Sequence, residues 1–279
     1  MFLPKGYGEV ITAMLIWGSV GVFVRIADQP AATIVFVRVF TAFLVLALFA
    51  LLRKQPFSLA GYGPLAVLSG IFIAANWLFF FKSIQTTTIG NAVLTYYMAP
   101  VLAMLWARLF LKERLERRIF QALPLAGAGI FLMTSEYNFS LSSNDFIGIL
   151  FGLAGAFFYS FVVVMAKYMS GITPRNLVMV QMGISSLFFL PFVILNPPTL
   201  TLLSTSAMLT MGVVHSALAL SIYFSSLQKI KIQHASILSY IDPVSALLYA
   251  YLIFNETPGL YTLLGGACIL LASWLVIRR

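Results

Sequence analysis

Cysteine is almost missing from this 279-residue chain: Cys268 stands alone, so no intrachain disulfide can form. Histidine is nearly as scarce, and His215 and His234 have no flanking set of ligands that would hold a metal. No G-x-x-x-x-G-K-[ST] loop occurs, which excludes an ATP-driven pump built from this chain alone, and no nucleophile triad is visible. The chain is therefore expected to be no enzyme and to carry no metal or other cofactor. Charge is thin as well, at 9% of residues, with 8 acidic against 17 basic side chains. A net charge of +9 is compatible with nucleic-acid binding, but such a binder gathers its cations on one solvated face. Here they fall in short runs between apolar stretches, the pattern of membrane topology, and no nucleic-acid partner is expected.

What the chain has in abundance is apolar surface. Hydrophobic residues make up 61% of it, and its mean hydropathy is +0.98. A water-soluble core cannot hide that much, so the chain reads as an all-α integral membrane protein embedded in a lipid bilayer. A window of about 19 residues predicts ten transmembrane helices, at 8–27, 33–52, 63–81, 89–111, 119–135, 146–168, 176–195, 205–225, 234–254 and 260–277. The first reads as a retained helix, because no A-x-A-like cleavage site follows it. Long apolar runs without alternating polarity argue against barrel strands.

Orientation follows from the cations. Even-numbered connections carry Arg53 and Lys54, then Lys112, Arg114, Arg117 and Arg118, then Arg175 with Lys167 nearby, then Lys229 and Lys231. Odd-numbered ones carry mainly Asp28, Glu136, Asp145 and Glu256, with Lys82 and Arg25 as exceptions. The positive-inside rule then puts the even connections and both termini, Lys5 and Arg278 with Arg279, in the cytoplasm of a multi-pass cell-membrane protein.

One phrase occurs twice. Aligning Gln85 with Gln228 and Pro100 with Pro243 makes 13 of 33 positions identical between 81–113 and 224–256, more than two unrelated apolar helices share by composition. The chain therefore reads as two copies of a five-helix unit, 1–140 and 141–279. An odd number of spans per copy turns the second upside down relative to the first. That accounts for a charge reversal: Thr86 of one copy corresponds to Lys229 of the other, while the basic run from Lys112 corresponds to the cation-free "NETPG" from Asn255.

Four segments, "WGSVGVFVR" at Trp17, "FVRVFTAFL" at Phe36, "AVLTYYMAPVLAMLWARLFLKERL" at Ala92 and "ASILSYIDPVSALLYAYLIFNET" at Ala235, resemble the EamA-type ten-helix carriers of the drug/metabolite transporter superfamily. The most specific feature is the alanine-rich, proline-centred helix ending in Glu113 in one half and Glu256 in the other. The resemblance extends over nearly the whole chain. It implies two inverted EamA-like repeats around a central cavity lined chiefly by helices 1, 3, 4, 6, 8 and 9, with helices 5 and 10 as scaffold. It also implies transport of a metabolite and leaves the cargo open.

Ionisable groups at bilayer depth need a reason, since a helix-centre Asp or Arg costs about 2.5–3.5 kcal/mol on insertion scales. Asp242 lies roughly 12 Å into helix 9 at 1.5 Å per residue, directly before Pro243, whose missing donor frees a carbonyl one turn earlier. It reads as a substrate-binding or proton-coupling residue, or else as a protonated structural group. Ser239 shares its helical face, together with Ala235, Ser245, Ala246 and Tyr249. His215, near the middle of helix 8, is the second proton-coupling candidate, alone or paired with Asp242, the bland alternative being a packed core histidine. Arg38 in helix 2, whose counterpart is Gln181, can bind a substrate carboxylate or merely snorkel. Asn76, Trp17, Tyr97 and Tyr240 complete the candidate binding set, with ordinary packing as their alternative role. Pro100 and Pro243 are the candidate hinges.

The reading that results is a secondary active transporter for a small polar metabolite, an amino acid or related compound. It works by alternating access in the direction of export, with possible proton coupling, as a monomer or homodimer. The alternatives are uptake of an organic cation such as choline, nucleotide-sugar exchange, and a membrane enzyme or channel.

Overall fold

In hydrocarbon every backbone N–H and C=O must be bonded within its own segment, so apolar runs of spanning length become helices. The computed structural model describes residues 5–87, 89–135, 143–255 and 257–278. Helix is the only regular structure among them. The spans are α1 (Gly6–Ala27), α2 (Ala31–Leu52), α3 (Gly63–Thr86), α4 (Asn91–Phe110), α5 (Ile119–Thr134), α6 (Asp145–Tyr168), α7 (Pro174–Leu195), α8 (Leu202–Leu227), α9 (Ile232–Phe254) and α10 (Leu260–Ile277). All except the shorter α5 are long and apolar enough to cross a membrane. Large apolar side chains such as Leu51, Phe120, Leu187 and Leu195 are exposed on the outside, as a lipid-facing surface requires.

Most ends fall close to those read from hydropathy, and α3 is the main departure. It runs on through "KSIQT" to Thr86, so the Thr86 expected in a connection closes a helix. No Gly or Pro interrupts that stretch, and the Thr86 hydroxyl donates back to the Lys82 carbonyl at 2.7 Å, which keeps its own polar group satisfied inside the helix. Side chains cap other ends. Thr173 accepts from the backbone of Asn176 before α7, and Thr201 with Ser204 forms a capping box before α8.

Four spans are broken. α4 is interrupted between Tyr96 and Ala99, and α9 at Tyr240. In both, the break comes three residues ahead of the proline that the sequence marks. α1 is divided at Ser19 into Lys5–Gly18 and Val20–Ala27, and α8 opens into a π-helical segment over Met211–Leu218. Neither of these has a proline to announce it. Lys112 and Asn255 both adopt a left-handed backbone, at φ 55° and 56°, just past the ends of α4 and α9.

Close helix contacts fix the bundle. α3 packs along α6, α2 along α7 and α5 along α10. The last pair meets through Gly129 and Gly265, where a Cβ on Gly129 would lie 2.7 Å from the Gly265 carbonyl oxygen. Only a missing side chain permits that approach. Glu136, Glu256 and Arg279, all used in the topology reading, lie outside the described residues.

Candidate functional site

The broken helices meet at depth. Proline at 100 and at 243 has no N–H to give to the residue four positions back, which releases the carbonyls of Tyr96 and Ser239 from the helical ladder. Across the gap, the Tyr240 hydroxyl donates to the Tyr97 carbonyl at 3.0 Å, with the two rings 6.0 Å apart. Each break is thus held by the other.

Two cavities flank this junction. One, of 430 Å³, runs between α1, α2, α3 and α4 and reaches Arg38, Trp17, Pro100, Ser239 and Asp242. The other, of 680 Å³, lies between α1, α4, α5, α9 and α10 and reaches Arg25, Thr134, Pro243 and Asp242. Gly21, Phe80, Tyr96, Tyr97 and Asp242 line both. The cavities extend to Gln29 on the α1–α2 connection and to Thr257–Gly259 on the α9–α10 connection, both on the face away from the termini. The expectation that α5 and α10 serve only as scaffold is corrected here: Ile130, Met133 and Thr134 of α5 and Thr262 of α10 form part of the larger cavity's wall. α2, absent from the expected lining, contributes Arg38.

Asp242 faces the Tyr97 hydroxyl and is within electrostatic reach of Tyr96 and Tyr159. Arg38 stacks its guanidinium over Trp77 at 4.9 Å and donates from Nε to the Ser216 hydroxyl at 3.1 Å. A carboxylate partner for Arg38 is not found among the described residues. One cavity wall therefore holds a carboxyl group and a guanidinium that do not touch each other.

The other expected residues are sorted by this geometry. Trp17 borders the smaller cavity while its indole donates to the His215 carbonyl at 2.8 Å. Ser239 borders the same cavity and donates to the Ala235 carbonyl at 2.8 Å. Asn76 is buried behind the wall, where its amide donates to the Tyr96 hydroxyl at 3.2 Å and the Gly155 carbonyl at 3.0 Å. Tyr240 is buried in the core beside Tyr97 and lines neither cavity. His215 bonds the Ser19 hydroxyl at 2.8 Å and packs edge-on to Phe23, so it supports the break in α1 rather than meeting Asp242. Ser245, expected on the polar face with Asp242, turns to the Met14 carbonyl at 3.1 Å. Sequence reading passed over Tyr96, Phe80, Trp77 and Tyr159. A tyrosine in mid-helix at 159 was a usable signal; the others are hard to tell from packing aromatics.

The opposite face, where both termini lie, is closed by polar contacts. Glu113, past the end of α4, accepts from the Ile232 backbone at 3.0 Å and pairs with Lys167 at 3.0 Å. Glu116 pairs with Arg118 at 2.6 Å and Lys231 at 2.7 Å, and its Oε2 lies 3.2 Å from His234. Burial pushes the Glu116 carboxyl up, but the hydrogen bonds from Lys231 and Arg118 and the nearby His234 outweigh it and hold the group down to about 2. Lys229 pairs with Glu9, and the Tyr7 hydroxyl and His234 Nδ1 are 2.6 Å apart. These contacts tie α1, α4, α6 and α9 together at one end.

A helical membrane bundle whose largely apolar cavities carry a few polar groups, reached from one face, with polar contacts joining the helices at the opposite face, has the build of a transporter. Comparison with known proteins gives the family: a model described as "EamA-like transporter family" matches residues 4–135 and 146–278, and the chain belongs to that family. It is 30% identical over 276 residues, 96% of each chain, to an uncharacterized transporter of Archaeoglobus fulgidus. It is 27% identical to the uncharacterized transporter YxxF of Bacillus subtilis, over 97% of this chain and 89% of that one. The pseudopaline exporter CntI of Pseudomonas aeruginosa is 25% identical, over 88% of this chain and 86% of its own. A solved crystal structure matches with a TM-score of 0.88 over 99% of both chains at 16% identity, a likeness of fold.

Proposed function

We propose that this transporter is a secondary carrier for a small metabolite bearing both an amine and a carboxylate, moved across the cell membrane by alternating access. The observation that carries the reading is the presence of Asp242 and Arg38 on one cavity wall. An ammonium at Asp242 gains Coulomb attraction and the faces of Tyr96 and Tyr97, and a carboxylate at Arg38 gains a planar donor fork. Export is favoured by similarity to a protein named as an exporter. If protons are coupled, Asp242 is the group through which substrate and proton compete, since His215 is engaged with Ser19.

Two inverted copies, 1–140 and 141–279, are the proposed architecture. Supporting it are the equivalent breaks at Tyr97 and Tyr240 and the equivalent left-handed turns at Lys112 and Asn255. The face bearing the termini is taken as cytoplasmic because Arg114, Arg117, Lys231 and Arg278 gather there. Its ionic seal is then the inner gate, and access in this conformation is from outside.

The test is a thermal-shift screen of the purified protein against amino acids, amines and sugars, repeated on Asp242→Asn and Arg38→Gln. A zwitterion should stabilise the parent protein and lose at least tenfold in apparent affinity in both variants. Equal stabilisation of all three proteins would defeat the assignment. The second reading, an organic cation such as choline, rests on the aromatic wall beside Asp242. It predicts that choline binds the parent and Arg38→Gln alike.

A further inference from the structure

Gly21 is the one residue of α1 that borders both cavities. It lies in Val20–Ala27, the piece of α1 beyond the Ser19 break, and this piece stands between the two spaces. Val20 and Val24 face the smaller cavity, and Val22 and Arg25 the larger. The four other residues common to both walls, Phe80, Tyr96, Tyr97 and Asp242, come from α3, α4 and α9.

Nothing in the backbone or the packing requires glycine at 21. Its φ is not positive, Gly61 being the sole glycine with that conformation among the described residues. A Cβ built on it meets no atom within 4 Å. Gly18, three residues earlier, contrasts with it, for a Cβ there would lie 1.9 Å from the Ser245 hydroxyl oxygen. Inside a helix, glycine carries a stability cost relative to alanine, because its backbone loses more freedom on folding. At Gly18 that cost is explained by helix contact; at Gly21 its visible return is empty space between two cavities.

We propose that the two cavities form one ligand chamber joined through a window at Gly21, and that the absent side chain at 21 determines which substrates fit. The substrate class follows from size and charge. Each cavity alone falls within the roughly 300–1,000 Å³ of pockets that enclose drug-sized ligands. A free α-amino acid leaves most of such a space unfilled. The chamber suits an elongated amino-acid derivative that threads past Gly21 with its amine at Asp242 and its ends in the two cavities. This deepens the reading of the Asp242 site and rests on it for the position of the amine.

Continuity of the chamber can be tested without knowing the substrate. In a Cys268→Ser background, Ser239→Cys places a thiol in the smaller cavity and Ala246→Cys one in the larger. Seven residues along α9 separate them by about 10 Å. A bis-methanethiosulfonate with a spacer of about that length should cross-link the pair, read by intact mass. Adding Gly21→Leu should cut the cross-linked fraction at least fivefold while each thiol still takes a small monofunctional reagent. Gly21→Ala, which should fold as well as the parent, should give an intermediate yield. Failure to cross-link with glycine at 21, or an undiminished yield with leucine, overturns the window. A thermal-shift series of N-alkylglycines, from N-methyl to N-octyl, which carry the amine between a carboxylate arm and an alkyl arm, tests the size filter. Gly21→Leu should remove the response to the long members and spare the short, and equal responses throughout overturn it. Ligand stabilisation left unchanged in Asp242→Asn, with the cross-link intact, would defeat the site reading and leave the window standing.

Discussion

The Tyr240 hydroxyl and the Tyr97 carbonyl, 3.0 Å apart, join the breaks of the two proline helices to each other. A carbonyl at an interrupted turn in an apolar setting needs a donor, and here it comes from the equivalent position of the other half. The same contact draws Tyr240 out of the cavity wall. Tyr240→Phe should therefore lower unfolding stability by about 1 kcal/mol and leave ligand affinity unchanged, measured by thermal unfolding with and without a stabilising ligand. A large change in affinity would show that the ring serves the site directly.

Arg38 holds its position by a guanidinium that lies over the Trp77 ring at 4.9 Å and an Nε bond to Ser216. Lysine keeps the charge and loses both contacts. Arg38→Lys should accordingly bind a carboxylate-bearing ligand about tenfold more weakly, close to Arg38→Gln, while affinity for a plain amine stays the same. Full rescue by lysine would reduce the role of Arg38 to charge alone.

Lys231, at the start of α9, provides no side-chain cap, and the Glu113 carboxylate bonds the Ile232 N–H in its place. Glu113→Ala should cost about 1–2 kcal/mol of cap and helix-dipole interaction and leave Lys167 with the Ile230 carbonyl but no carboxylate partner. The closed face should then open more often. In a Cys268→Ser background, maleimide labelling of Ser236→Cys, a buried position, is expected to speed up severalfold.

The Glu116 contacts carry a defined pH dependence. Its folded value of about 2 lies below the ordinary 4.5, so its stabilisation is fully present above 4.5 and fades as pH falls towards 2. The stability difference between the parent and Glu116→Gln should be constant from pH 6 to 8 and shrink below 4.5. A difference that grows on acidification would contradict the ion-pair account.

Gly18→Ala and Gly21→Ala should behave in opposite ways. At 18 the added methyl meets the Ser245 side chain and the Ala246 backbone nitrogen at 2.8 Å, which has little freedom to give way. A loss of about 1–3 kcal/mol is expected from overpacking. Gly21→Ala should be neutral or stabilising, as judged by melting temperature.

Asp242 and Arg38 were legible in the sequence because a charge inside an apolar run is costly and stands out without any structure. Tyr97 was found through its twin at 240, and that logic also put Tyr240 in the wall, where it is not. Equivalence in sequence ensures a similar backbone turn, yet the side chain's surroundings depend on which neighbour fills the adjacent space. Tyr96, Tyr159 and Phe80 went unnoticed for a related reason: an aromatic in an apolar helix suits lipid, core or cavity equally well, and only the rotation of a broken helix decides among them.

By itself the sequence determined that the chain crosses a bilayer in about ten helices, that one proline-centred phrase recurs, and that few polar groups lie at depth. Each of these is a property of one segment, set by apolar length and local backbone chemistry. The tertiary structure decided which carbonyl the Tyr240 hydroxyl meets, which cavities Asp242 shares, which face is closed, and that Gly21 has open space on either side. Those facts arise between helices distant in the chain, where packing chooses among positions that hydropathy cannot distinguish.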